Sequence, residues 1–300
     1  MSTASRPPRR RLTTVADVCR EYLERAPAGK TWKTRRAEIT QFIDARGDIG
    51  IEDLIADDLE SFIEAHPAWK SNWTKKRVAQ TIKCAFSFCW NKGLIGTHPL
   101  KGVSYQRGDR RRPMDETEFR AILRDVSAEF RRVLLFLYWT GCRPLELCTL
   151  KWRFLDVENA AFILREHKTA HSRSDGLPRM IYLPEQAVRM LTWILADQRG
   201  EREHVFLNRW GKPWSRPGLT LRIYRLRERL GIPNSAFLYG VRHSFGTRMA
   251  KAGVELKTLA TLMGHTNTLQ CEHYIHLAGE SEHLHNALKK GLDHKRLGER

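Results

Sequence analysis

Apolar positions in the first hundred residues recur at helical spacing in four runs separated by polar breaks. From Thr14, TVADVCREYLERA places Val15, Val18, Tyr22 and Leu23 on one face, and TWKTRRAEITQFIDARG follows as a second helix. IEDLIADDLESFIEAH predicts a third, with Asp57 and Asp58 near its N-terminal turn. The fourth lies within WKSNWTKKRVAQTIKCAFSFCWNKGLIGTHPL and ends near Gly93. Its faces divide: Val78, Ile82, Ala85, Phe86 and Cys89 are apolar, and Lys75, Lys76, Arg77 and Lys83 are basic. Together these helices predict a compact N-terminal domain over residues 13–100, preceded by a basic, proline-containing arm over 1–12.

Periodicity then lapses. KGVSYQRGDRRRPM, a basic linker over 101–113, mixes glycine and proline with Lys101, Arg107, Arg110, Arg111 and Arg112. After Pro113, DETEFRAILRDV starts a helix with acidic residues in its first turn, and EFRRVLLFLYWTGCRPLELCTLKW gives a buried helix stopped at Gly141. A new helix begins beyond it, with Pro144 in the first turn and Arg143 at the N-terminus, where the helix end favours an anion. Glu146, three residues on, is spaced to form an ion pair with Arg143. FLDVENAAFILREHKTA and LPRMIYLP change to the period of short strands, with Lys168 on the segment that joins them. EQAVRMLTWILADQR, a loop around NRWGKPWSRPG and a basic helix LTLRIYRLRERLG complete this part. The fold class is mainly α with a small antiparallel β-sheet: an N-terminal helical domain, an α+β domain over 114–290 and a tail over 291–300.

The densest chemistry lies in FLYGVRHSFGTRMAKAGVELKTLATLMGHTNTLQCEHYIH, residues 237–276. One helix is predicted over 241–252, stopped by Gly253, and a second over 255–263, with Leu256, Leu259 and Leu262 inward and Gly264 as its cap. Thr268 then caps a third helix carrying Tyr274. Short helices joined this tightly can direct Arg242, His265 and Tyr274 into one cleft. A phosphodiester suits that set: arginine forks bind its charged oxygens, an imidazole donates a further hydrogen bond, and a tyrosine hydroxyl serves as nucleophile. Arg-His pairs and tyrosines also occur in ordinary helices, so the stretch alone leaves a purely structural role open.

Charge narrows the partner. Lysine and arginine number 52 against 34 acidic residues, a formal net charge of +18 with pI about 10.0, which points to a polyanion as partner, nucleic acid first. On the fourth helix Lys75, Lys76 and Arg77, with Trp69 and Trp73 nearby, are candidates for the DNA backbone, although a solvated basic face has the same pattern. The arginines of the linker, with Lys101, are candidates for the same contact, and a plain flexible tether is the alternative. No apolar run is long enough to span a membrane and the first residues lack a secretory pattern, so no membrane is expected and the location read is cytoplasmic. Six cysteines without a paired framework read as reduced thiols, the histidines near the C-terminus have no matching ligand array for zinc, and no phosphate-binding loop for ATP is present; no metal or cofactor is expected.

TGCRPLEL, HKT, LYGVRHSFGT, LMGH and HYIH, in that order, resemble the tyrosine site-specific recombinases of the phage integrase family, over residues 14–290. The resemblance implies that residues 13–100 are a helical core-binding, SAM-like domain and 114–290 the catalytic domain. It implies that Arg143 and Arg242 clamp the scissile phosphate, Lys168 is general acid for the 5′-hydroxyl, His265 supports the transition state and Tyr274 forms a 3′-phosphotyrosine. Glu146 orients Arg143, and His243 supports or packs. The family's usual pattern has histidine three residues before the second arginine; here that place is Tyr239, which can donate a hydrogen bond but does not take up a proton near neutral pH. The resemblance further implies a homotetramer on double-stranded DNA passing through a Holliday junction, with accessory DNA-bending or directionality proteins as possible partners. The segment GESEHLHNALKKGL, with Leu284, Ala287 and Leu288 on one face, would dock on a neighbouring subunit or on its own domain. Two alternatives stay open: a type IB topoisomerase, and a weak or inactive DNA-binding regulator whose 254–275 stretch reads as a helix-turn-helix.

Overall fold

The computed structural model describes residues 11–26, 29, 31–105, 113–165, 178–198, 202–232 and 237–278. The chain divides into two compact units, Met1–Arg110 and Arg111–Arg300.

In the first unit, α1 (Val15–Arg25) opens on a capping box: Asp17 N donates to Thr14 Oγ1 at 3.1 Å while the Asp17 carboxylate accepts from Thr14 N at 3.3 Å. Helices α2 (Trp32–Arg46), α3 (Ala56–Ala65) and α4 (Asn72–Asn91) follow, the last capped by Ser71, which accepts from Thr74 N at 3.2 Å. Val15, Val18, Cys19, Ile39, Phe42, Leu59, Ile63, Val78, Ile82, Ala85, Phe86 and Cys89 close a core from which water is excluded. Helix α3 starts later than the sequence pattern suggests. Ile51 and Leu54 sit in the preceding turns and still plug the core, because Ile55 N is satisfied by the Asp58 carboxylate at 3.0 Å and the helix begins there.

Several candidate DNA contacts have internal partners instead. Trp69 is buried, stacked on His66 at 3.7 Å and edge-on to Phe62 at 5.4 Å, so it is a core residue; Trp73 is 66% exposed. Lys75 pairs with Glu64, and Arg77 covers the buried carboxylate of Glu38, which would otherwise be an uncompensated charge. Lys83 donates to the Lys101 and Val103 carbonyls, and Lys101 Nζ stands 5.0 Å over the Trp90 ring. The arm over 1–10 and Arg107, Arg110, Arg111 and Arg112 lie outside the described residues.

The second unit begins with α5 (Glu116–Arg124), whose Asp115 cap accepts from Glu118 N at 2.8 Å. Helix α6 (Ala128–Thr140) is its central post, with Phe130, Val133, Leu134, Phe136 and Leu137 fully buried. After α7 (Pro144–Cys148) come three antiparallel strands in the order β1 (Leu155–Asp156), β2 (Ala161–Leu164) and β3 (Arg179–Tyr182), registered Leu155↔Phe162 and Phe162↔Ile181. Phe162 and Ile181 turn inward against α6 and α8 (Glu185–Asp197). Helix α9 (Arg216–Leu230) starts three residues before its expected place, because Ser215 caps it and Pro217 suits its first turn. Helices α10 (Leu238–Lys251), α11 (Leu256–Met263) and α12 (Leu269–Ala278) then enclose a second small core of Phe245, Ala250, Leu259, Ala260, Met263, Cys271 and Tyr274. The buried stripe of α11 is centred on Leu259, Ala260 and Met263, with Leu256 and Leu262 at its edges. Lys168 and the 281–288 segment lie outside the described residues.

Candidate active site

Two helix ends and one strand build the site. Helix α6 stops at Gly141 in the left-handed region, φ 61°, and a Cβ there would stand 2.3 Å from the Phe245 ring, so glycine alone fits. The turn leaves Gly141 O free of the helix ladder, and Arg242 Nη1 donates to it at 2.7 Å. Helix α11 ends the same way at Gly264, φ 66°. Its last carbonyls also receive guanidinium donors: Met263 O accepts from Arg242 Nη2 at 2.7 Å and Gly264 O from Arg143 Nη2 at 2.6 Å. Cations placed on the carbonyl ends of two helices meet both orphan acceptors and the negative pole of the dipole.

Arg143 is the N-cap of α7 and is only 9% exposed. Its Nη1 donates to Glu146 Oε1 at 2.6 Å and its backbone N to Glu146 Oε2 at 2.9 Å, the i, i+3 pairing expected from the sequence. The helix itself spans five residues and its free N-terminal donor is already taken by Glu146, so the guanidinium rather than the helix end is what an anion would meet. Arg242 lies on the second turn of α10, not at its opening, because that helix starts at Leu238.

A third arginine, Arg179 at the start of β3, is 1% exposed and was not among the sequence candidates. Its Nε is 3.6 Å from Glu146 Oε2, and its Nη1 donates to Met180 O at 2.5 Å and Thr261 O at 3.1 Å. Arg179 Nε and Nη2 have no hydrogen-bond partner among the described residues. A signal for it existed: in PRMIYLP, Arg179 shares the inward face of the strand with Ile181, and a charge on a buried strand face needs a partner. Burial pushes the Glu146 carboxyl up, but Arg179, then Arg143 and its backbone N–H, outweigh that and hold it below the usual carboxylate range. Burial, reinforced by Arg143, lowers Arg242 to about 10, still charged at neutral pH.

His265 follows Gly264 directly. Its Nε2 is 2.9 Å from Arg242 Nη2, and an arginine only donates, so Nε2 accepts and the ring proton sits on Nδ1. That proton faces Cys271 Sγ at 3.0 Å, a contact the sequence did not suggest. Tyr274 is 1% exposed, its hydroxyl 3.1 Å from His243 Nδ1. Burial pushes this hydroxyl up to about 12, with Arg242 opposing. Thus Arg143, Glu146, Arg242, His243, His265 and Tyr274 converge on α7, α10 and the α11–α12 corner. Tyr239 is half-buried on the first turn of α10, one turn before Arg242, and makes no hydrogen bond to this group among the described residues.

Among the described residues three buried guanidiniums face a single buried carboxylate, an excess of positive charge that folding disfavours unless an anion is the intended occupant. A phosphodiester would meet that excess, and a buried tyrosine hydroxyl stands beside the same cluster, a composition suited to an enzyme that acts on DNA strands. The chain belongs to the phage integrase family, whose sequence model matches residues 112–281. It is a tyrosine recombinase, of a family whose enzymes cleave and rejoin DNA. It is similar to the tyrosine recombinase XerC of Lactobacillus delbrueckii subsp. bulgaricus, 24% identical over 244 residues that cover 76% of this chain and 80% of the relative. Its fold is that of the Tn1549 transposon integrase in complex with a circular intermediate DNA (TM-score 0.72, 20% identity, 88% of this chain and 95% of the other). The lambda integrase tetramer bound to a Holliday junction shares it too (TM-score 0.69, 17% identity, 87% and 77%).

Proposed function

We propose that this recombinase cuts each DNA strand by attack of Tyr274 Oη on a scissile phosphate held by Arg143 and Arg242. The observation that carries the assignment is the surplus of buried guanidinium charge beside a buried tyrosine. Each arginine has five N–H donors, of which the carbonyls and Glu146 use a part; the rest are available to non-bridging oxygens whose charge grows in the transition state. His265 acts through Arg242, accepting from its Nη2 and so fixing the fork that meets these oxygens, and Tyr239, on the Arg242 side of α10, can add a hydroxyl donor. Lys168 is assigned protonation of the departing 5′ oxygen. Glu146 holds Arg143 in place, and Arg179 holds Glu146.

The bond energy is kept as a 3′-phosphotyrosine ester, so rejoining needs neither ATP nor metal. One site cuts one strand; a complete exchange between two duplexes needs four, and the lambda integrase fold-relative is titled as a tetramer on a Holliday junction. A homotetramer on double-stranded DNA follows for this chain, with accessory DNA-bending proteins as possible additions. The N-terminal helices, residues 13–100, serve as the core-binding domain, with Lys76 and Trp73 as contacts on α4 and Lys75, Arg77 and the linker arginines available on partner exchange. No helix among the described residues is long and apolar enough to cross a membrane, and action on DNA suits the cytoplasm.

The test is a suicide substrate, nicked near the cleavage point so that a short product diffuses away and the covalent complex accumulates. Candidate sites come from DNA flanking the gene. A protease-sensitive shifted band on a denaturing gel, present with wild type and absent with Tyr274→Phe, is the expected result. Footprinted binding with no covalent band in the wild type would overturn the assignment and favour a DNA-binding regulator.

A further inference from the structure

Strand cleavage at Tyr274, on which this inference rests, leaves one proton without a destination. Tyr274 Oη loses its hydrogen as it bonds to phosphorus, and Tyr239, one turn before Arg242, takes up no proton near neutral pH. His265 is committed at both ring nitrogens, Nε2 to Arg242 at 2.9 Å and Nδ1 to Cys271 at 3.0 Å. A proton added to Nε2 would set an imidazolium against a guanidinium.

A different imidazole meets the nucleophile. His243 Nδ1 lies 3.1 Å from Tyr274 Oη, with the two rings 5.8 Å apart and inclined by 49°. The geometry is built in: Gly246 is one turn further along α10 on the same side, and its missing side chain is what lets the Tyr274 ring rest on that helix with the hydroxyl toward position 243. We infer that His243 is the general base of strand cleavage, accepting the Tyr274 proton at Nδ1. The Oη–H bond breaks, Oη–P forms, P–O5′ breaks, and the electron pair leaves with the 5′ oxygen, which is protonated by Lys168 in the reading above. On rejoining, the 5′-hydroxyl returns its proton to Lys168 as O5′–P forms, Oη–P breaks, and the His243 imidazolium gives its proton back to Oη.

The surroundings make such a base necessary. Among the described residues, Arg242 from α10 favours the Tyr274 phenolate and Cys271 from α12 disfavours it when ionised; Phe237 packs 6.2 Å from the His243 ring. Burial dominates and raises Tyr274 to about 12. At neutral pH an unaided phenolate would then amount to about one molecule in 10⁵.

The experiment follows covalent-complex formation from pH 5 to 9 on a suicide duplex with sulfur at the bridging 5′ position, a leaving group that needs no proton. Wild type and His243→Asn are compared, since an asparagine amide sits near the place of Nδ1 but takes up no proton, and affinity for intact duplex is measured beside each. The wild-type rate is expected to rise with pH and level off through a histidine ionisation. His243→Asn is expected to bind duplex as wild type does yet react about a hundredfold slower or more at pH 7. Its rate should climb about tenfold per pH unit with no plateau, following direct ionisation of Tyr274, and sulfur should not restore it.

A His243→Asn protein that binds and keeps the wild-type rate and inflection overturns the base assignment while strand cleavage stands. Restoration by sulfur also overturns it, because it would move the defect to the leaving group. No covalent complex in the wild type overturns strand cleavage itself and the base with it. Should His243→Asn fail to bind duplex, His243→Gln is read by the same criteria, and a wild-type profile without an inflection overturns the assignment whatever either variant does.

Discussion

The ring of Tyr274 lies directly on the backbone of Gly246: a Cβ built at that glycine would stand 2.6 Å from both Cε1 and Cζ. The atoms it would strike belong to a ring that is 1% exposed and held between α10 and α12, so neither partner can yield without the helices parting. Gly246→Ala is therefore expected to destabilise the full chain by about 1–3 kcal/mol, as overpacked cores do. It should also slow covalent-complex formation, because the hydroxyl is carried away from His243. Urea unfolding and the suicide substrate read the two effects, and a variant as stable and as fast as wild type would show that the contact relaxes freely.

Arg179 and Arg143 share one carboxylate, and acid shows which matters more. Glu146 has a folded value below its unfolded one, so its contribution to stability is present above the unfolded carboxylate range and lost as pH falls through the lower folded value. Arg179 is the largest of the charges that hold it down. In Arg179→Met burial is less opposed, the Glu146 carboxyl rises, and acid unfolding followed by circular dichroism should start at higher pH than in wild type. An unchanged midpoint would mean that Arg143 alone holds the carboxylate.

Arg242 bridges two helix ends, donating from Nη1 to Gly141 and from Nη2 to Met263. A lysine keeps the charge but offers one nitrogen, which cannot serve both carbonyls and a phosphate in the planar geometry of the fork. Arg242→Lys should reduce cleavage by about 10²–10³-fold. Affinity for intact duplex should change little, since backbone contacts are spread over many cations. A parallel loss of binding and cleavage would instead mark Arg242 as a general anchor.

Cys271 accepts the Nδ1 proton of His265 and so fixes which nitrogen is left for Arg242. Cys271→Ser retains an acceptor and is expected to stay within about threefold of wild type, whereas Cys271→Ala, lacking one, should lose about tenfold, the factor that one net hydrogen bond of roughly 1.4 kcal/mol represents. Equal rates in the two variants on the suicide substrate would show that the thiol has no part in setting the tautomer.

Much of this was legible because the determinants are local. The Thr14 and Ser71 caps, the glycine stops at Gly141 and Gly264 and the Arg143–Glu146 spacing are each set within a few residues, and each forms as its local chemistry directs. Where the pattern misled, a longer-range partner had intervened. Trp69 looked like a surface aromatic among lysines, yet His66 and Phe62 enclose it, and Lys75 and Arg77 looked free until Glu64 and Glu38 were brought alongside. Helix α10 starts three residues before the expected residue, which moves Arg242 from a helix end to a helix face.

The sequence by itself determined the mainly helical fold with one small antiparallel sheet, and the ordered set of arginine, histidine and tyrosine that marks the chemistry. Only the tertiary structure decided that Arg179 stands behind Glu146, that Cys271 orients His265 and that His243 rather than His265 touches the Tyr274 hydroxyl. Periodicity records which side of an element is buried, and it carries no information about what waits on the other side. These contacts join β3 to α7, the residue after α11 to α12, and α10 to α12. They were set when apolar faces packed, and side chains distant in sequence were then left to satisfy one another's charge where water had been excluded.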